Sequence, residues 1–282
     1  MNIEPAPRAL RDPMLIAAFE GWNDASDSAT TVIDHLLETW DFDVFAELDP
    51  DEFYDFQQVR PMMHSHEENH REIIWPTPTM YVLEDERLPR DVLILRAPEP
   101  NFHWREFCQR VIALATALGT REVYLLGALL ADVPHTRPIP ITATSNDPDL
   151  AESLADRRSF YIGPVGITSV LAEAAASAGL TTTSFWAAVP HYTAEAPCPK
   201  ASLALLEALD EASGVALPHD ALRDLSEAWQ RGADELMHDQ DLREYVESLE
   251  ESRDADELPH TSGDAIAKEF ERYLRRRDRD GN

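Results

Sequence analysis

The tripeptide Val-Pro-His occurs twice, at residues 133–135 and 189–191, each time directly after an apolar run. Histidine titrates near neutral pH and serves as acid, base or ligand. A preceding proline fixes the backbone that aims it. Asp132 and Arg137 flank the first copy, and Tyr192 follows the second. Two further apolar runs end in polar loops. "MLIAAF" is followed by Glu20, Gly21, Trp22, Asn23 and Asp24, and "DVLILRA" by Glu99, Asn101, His103 and Trp104. Histidines, an arginine and carboxylates gathered on one edge are enough to hold an anion and move protons. Strand exits are polar in any protein, so a role in architecture or subunit contact stands beside the pocket reading.

Other motifs point less far. In "YIGPVGITSVL", Gly163, Gly166, Thr168 and Ser169 precede a helix and could turn backbone N–H groups toward an anion. The motif is shorter than a dinucleotide fingerprint, and a turn with a helix cap explains it equally. "HSHEENH" puts His64 and His66 on one strand face near Glu67 and His70, but the spacing matches no strong zinc pattern, and no metal is expected. Cys198, in Pro-Cys-Pro, follows His191 closely enough to raise a thiolate–imidazole pair, although no further context supports a nucleophile. Cys108 falls on the apolar side of a helix and reads as core. No G-x-S-x-G elbow occurs. The only lysines are Lys200 and Lys268, which removes a P-loop and nearly all Schiff-base candidates. Arg275, Arg276 and Arg277 end a helical pattern, where positive charge suits the helix dipole.

These loops need elements to position them. The short apolar runs 14–19, 91–97 and 122–131, with "TTTSFWAAV" at 181–189, have the pattern of strands covered on both faces. Helical patterns over 25–40, 101–119, 166–179 and 200–214 alternate with them, at spacings that suit parallel crossovers. Asn23 or Asp24 is the expected cap of the first helix, whose stripe is Val32, Leu36 and Trp40. Residues 41–48 alternate as a strand. Residues 52–84 read as β-hairpin material turning at Glu67-Glu68-Asn69, and 136–145 as an edge strand marked by prolines. The expected fold is a three-layer α/β/α sandwich over residues 1–217. Residues 218–282 follow as a C-terminal helical arm, with one charged helix carrying Leu222, Leu225, Trp229, Leu236 and Leu242. A linker "SRDADELP" and a last helix "GDAIAKEFERYLRRR" complete it.

The 282 residues carry a formal net charge of −29. That disfavours nucleic acid and anionic membrane surfaces and suits a partner with a basic face. No apolar run reaches the ~18 residues that cross a bilayer. The segment "MNIEPAPRALRDP" lacks the pattern of a signal peptide, and two distant cysteines suit a reducing compartment, so a cytoplasmic location is expected.

Taken together, "FEGWNDASDSA", "EFYDFQQVRP", "LRAPEPNFHW", "LLADVPHTRP", "GPVGITSVL" and "WAAVPHY" followed by "CPKA" resemble the actinobacterial branch of the proteasome assembly chaperone 2 family. The resemblance implies a three-layer α/β/α sandwich similar to the purine nucleoside phosphorylases, to which the pattern of residues 52–84 adds a hairpin insertion. It implies a non-enzymatic assembly factor without a cofactor, whose partners are proteasome α-subunits or another protein, and self-association, with a trimer favoured by analogy. Some members dock through a C-terminal hydrophobic–Tyr–any tripeptide. This sequence ends Asp280-Gly281-Asn282, so another surface is expected to serve, the acidic arm being one choice. The alternative is an enzyme or small-ligand binder in which Arg137 and the 163–169 turn hold an anion while His135, His191 or Asp24 moves protons. In that reading Trp22, Trp104 and the arm decide whether the edge is open or sealed.

Overall fold

The run Met14–Glu20 alternates between two cores. Met14, Ile16 and Ala18 enter one apolar cluster and Leu15, Ala17 and Phe19 the other, all fully buried. Burial on both faces is what a continuous apolar strand requires. The computed structural model describes residues 2–3, 9–65, 71–154, 157–159, 161–193 and 197–257. Its strands are β1 (Asn2–Ile3), β2 (Met14–Glu20), β3 (Asp43–Glu47), β4 (Met62–Ser65), β5 (Arg71–Ile74), β6 (Thr79–Leu83), β7 (Val92–Pro98), β8 (Glu122–Ala131), β9 (Ile141–Ser145) and β10 (Thr181–Pro190). Its helices are α1 (Ser28–Thr39), α2 (Trp104–Ala117), α3 (Pro148–Ser153), α4 (Ile167–Ser177), α5 (Pro199–Ser213), α6 (Asp220–Glu235) and α7 (Gln240–Glu257).

Eight strands form one mixed sheet in the order β1-β3-β6-β7-β2-β8-β10-β9. The central four, β7, β2, β8 and β10, run parallel, and the flanking pairs are antiparallel. One face is covered by α1, α5 and α6 through Val32, Leu36, Leu205, Leu209 and Leu222. The other is covered by α2 and α4 through Phe107, Val111, Ile167 and Leu171. This is the α/β/α sandwich expected from the sequence.

Several local expectations need correction. Residues 52–84 are not one hairpin: β4 and β5 pair as a separate two-stranded sheet, whereas β6 joins the main sheet between β3 and β7. Pro50–Glu52 starts a 3-10 turn capped by Asp49, and Phe53 and Tyr54 turn inward beneath it. The turn at Glu67-Glu68-Asn69 lies outside the described residues, as do His66 and His70. The charged helix expected beyond residue 218 is broken. A 3-10 turn, Leu236–His238, separates α6 from α7, and the Asp239 carboxylate caps the new helix by accepting from Leu242 N (3.0 Å). The chain divides into compact units at residues 1–235 and 236–282. Helix α6 therefore belongs with the α/β core. Leu222 is buried and Trp229 packs on the core, but Leu225 is exposed and Ser226 faces inward instead. Residues 252–257 of the expected linker are helical, and the last expected helix, with Arg275–Arg277, lies outside the described residues. Helix α3 was not anticipated, although its signal was local: Asp147 caps it by accepting from Leu150 N (2.9 Å), and Pro148 opens it. No helix among the described residues is long and apolar enough to cross a membrane.

Candidate functional site

Because β7, β2, β8 and β10 are parallel, the four polar exits share one edge, as expected. They divide into two groups. In the first, Gly21 takes φ +102°, a left-handed conformation that glycine adopts without steric cost, and the chain turns so that Asp24 N donates to Gly21 O (3.0 Å). Ala128 N then donates to Asn23 O (2.7 Å), which ties the loop to β8. Asn23 is fully buried. Its Nδ2 donates to Glu99 Oε1 (2.8 Å), and the same oxygen accepts from Ile167 N (2.9 Å), the first residue of α4. The anion expected at this helix N-terminus is thus the protein's own Glu99, placed where the helix dipole favours it. Gly166 is needed for a different reason from anion binding: a Cβ there would collide with the Asn23 amide. Asn23, Glu99 and the start of α4 form a closed knot, in which the Asn23 Oδ1 has no hydrogen-bond partner among the described residues.

Asp24 caps α1, as expected of one of the two candidates, but from outside the first turn. Its carboxylate accepts from Ala29 N (2.6 Å), Thr30 N (3.3 Å) and the Thr30 hydroxyl. Burial pushes the Asp24 carboxyl up to about 6, and these hydrogen bonds only partly offset it. Glu20 instead meets Arg96 (2.6 Å), whose guanidinium also holds Asp34 of α1. Asn101 accepts from Asp55 N (2.8 Å) and so holds the 50–56 turn. Trp22 does not seal the edge, being 63% exposed, and Trp104 bonds Pro100 O.

The two Val-Pro-His loops meet in the second group. His135 is fully buried; its N–H donates to the Tyr192 hydroxyl (2.7 Å), which lies 2.8 Å from His135 Nδ1. Either group can supply the proton between them, and the ring's second nitrogen is Nε2. That nitrogen faces Asp234 of α6 at 3.4 Å. Lys200 donates to His135 O (2.5 Å) and Gln230 (2.7 Å), and Gln230 donates to Asp234 (2.8 Å). His191 pairs with Asp132 (3.2 Å) at the exposed rim. Arg137 lines a groove of about 670 Å³ with Arg157, Lys200, Leu203, Glu207 and Ser226, a lining that includes no residue of the 163–169 turn. A second groove, about 270 Å³, is lined by Thr144, Ser169, Glu173, Thr182, Ser184 and Trp186. Neither is lined by Asn23, Glu99 or Gly166.

Sequence reasoning missed Arg96, Lys200, Gln230, Asp234 and Arg157. Arg96 carried a signal, a charge inside an apolar strand. The helical residues carried none, since their partners lie far along the chain. The thiolate–imidazole idea fails, because burial raises the Cys198 thiol to about 11 and Cys198 N donates to Ser26 O (3.1 Å). Cys108 is core, its thiol raised by burial to about 12. Among the described residues no cluster of His, Cys, Asp and Glu could hold a metal ion.

A model of the PAC2 family matches residues 18–237. The chain belongs to the PAC2 family. Among solved structures, a PAC2 family protein of Streptomyces avermitilis is 44% identical, covering 83% of this chain and 100% of its own, with a TM-score of 0.77. A proteasome-assembly chaperone homologue of Mycobacterium tuberculosis is 38% identical over 83% of this chain and 99% of its own, with a TM-score of 0.76. A second Mycobacterium tuberculosis protein, described as of unknown function, is 31% identical over 90% of both chains, with a TM-score of 0.81. No curated protein matches the sequence.

In this PAC2 chain the closed knot carries an apolar exterior. The 21–24 and 161–166 loops and the end of β8, which Asn23 and Glu99 tie together, expose Trp22, Leu129, Leu130, Tyr161, Ile162 and Val165, with Ile162 at 97%. The 161–166 loop is preformed: the Tyr161 hydroxyl donates to Pro164 O (2.9 Å), and a Cβ at Gly163 would strike the tyrosine ring. Grouped large apolar side chains on a rigid support are the signature of an interaction surface.

Proposed function

We propose that the protein is a non-enzymatic assembly factor that docks protein subunits in the cytoplasm through the apolar rim around Asn23, with proteasome α-subunits as its partners. The observation that carries the reading is the pairing of a sealed polar knot with an exposed, preformed apolar loop. Glu99 and Gly166 close the space a ligand would use, and Ile162 projects outward. The proteasome-assembly chaperone homologue of Mycobacterium tuberculosis supplies the class of partner. A net charge of −29 suits a basic partner face. Self-association belongs to the same reading, as a trimer by analogy with phosphorylase-like domains. Hairpin β4–β5, with Met62, Met63, Ile73 and Ile74 all exposed, is its contact. The C-terminal arm offers a second, acidic contact in α7.

Co-purification of the full chain with free α-subunits of its host's 20S proteasome, sized by light scattering, tests the proposal. A defined complex is expected, weakened at least tenfold by Ile162→Asp. A folded wild-type chain that forms no complex, or a complex indifferent to that substitution, rejects it.

A further inference from the structure

We infer that the groove between the β8–β9 loop, α5 and α6 binds a small organic monoanion with an aliphatic tail, of the medium-chain carboxylate class. The groove's volume, about 670 Å³, is that of a small-molecule site. Ile139, Ile141, Leu203, Ala204 and Ala208 give it an apolar lining. Its charged lining residues are Arg137, Arg157, Lys200, Glu207 and Glu211, in a chain of net −29. Glu211 is taken up by Arg157 (3.0 Å), and Glu207 reaches Arg223 at 4.0 Å. The half-buried Lys200 ammonium has three donors. Two go to His135 O and Gln230, and the third has no partner among the described residues. Ser226, buried in α6, lines the same groove, and its hydroxyl has no partner among the described residues either. Two unused donors beside an apolar wall fit a carboxylate head with a hydrocarbon tail. Burial lowers the Lys200 pKa, so an anion beside it favours the charged ammonium.

Calorimetric titration of the full chain with octanoate, against 1-octanol as the uncharged counterpart, tests the site. One octanoate per chain is expected, at least tenfold tighter than octanol. Ala204→Trp, which fills the groove, should abolish binding, and Ser226→Ala, which leaves the packing intact, should weaken it several-fold. Met62→Ser, on the exposed hairpin, should leave it unchanged. No saturable binding to the folded wild type, equal binding of octanol, binding that survives both groove substitutions, or loss with the hairpin variant would each overturn the assignment. None of these outcomes depends on α-subunit docking.

Discussion

Two ends of one sheet edge use the same residue types and reach opposite states. At the β2–β7 end, Glu99 sits where an anionic ligand would sit, and Gly166 lets the Asn23 amide close on it. At the β8–β10 end, His135 and Tyr192 are equally well packed, but their neighbour Lys200 keeps a donor in hand beside an open groove. Polar side chains at a strand exit therefore do not define a pocket by themselves. What decides is whether an opposing group of the protein fills the space. A filled site becomes a rigid base for whatever its loops expose outward, here Trp22 and Ile162.

Substitutions sharpen the contrast. Gly166→Val drives a branched side chain into Asn23 and orphans the Glu99 contacts. The cost should be about 4 kcal/mol, summing overpacking and a lost buried hydrogen bond, read by denaturant unfolding. The pH dependence of the same end comes next. The Asp24 pKa is raised to about 6 from 3.8, so the folded state holds its proton more tightly. Its stabilising contribution is therefore complete below about pH 4 and is lost as pH rises through 6. Asp24→Asn keeps the acceptor for Ala29 N. It should gain on wild type by up to about 3 kcal/mol between pH 4 and pH 7.5, and a pH-independent difference would refute the buried-acid account. At the other end, Tyr192→Phe removes the hydroxyl shared by His135 N and Nδ1. It should cost about 1–2 kcal/mol, a fall of roughly 3–6 °C in melting temperature. Smallest in stability is Trp22→Ser, expected within about 0.5 kcal/mol of wild type while weakening α-subunit binding. A large stability loss there would mean that Trp22 is part of the core.

Much of the fold was legible because two-sided burial writes itself as continuous apolar runs. The strands at 14–20, 92–98, 122–131 and 181–190 fall where those runs lie. The edge that gathers their exits followed from parallel order. What failed was partner identity. "TMYVL" has a strand pattern whether it pairs with β5 or with β7, and only tertiary packing chose β7. The break between α6 and α7 turned on Asp239, a cap hidden in a run of charges. In the site, Asn23 was rightly placed on the edge, but its partner Glu99 is 76 residues away. Gly166 was read as either an anion-binding glycine or a turn with a helix cap; it caps α4, and its lack of a side chain also serves the approach of Asn23. Spacing reports what stands at a strand exit, not what comes across the gap to meet it.

The central claim is that the edge around Asn23 meets a protein rather than a substrate. The most direct measurement is a hydrogen-exchange footprint of the full chain with and without free 20S α-subunits of its host. The account predicts added protection in residues 161–167 and 21–24, with little change along the Arg137–Lys200 groove. Protection confined to the groove or to the arm, with 161–167 unaltered, would contradict it.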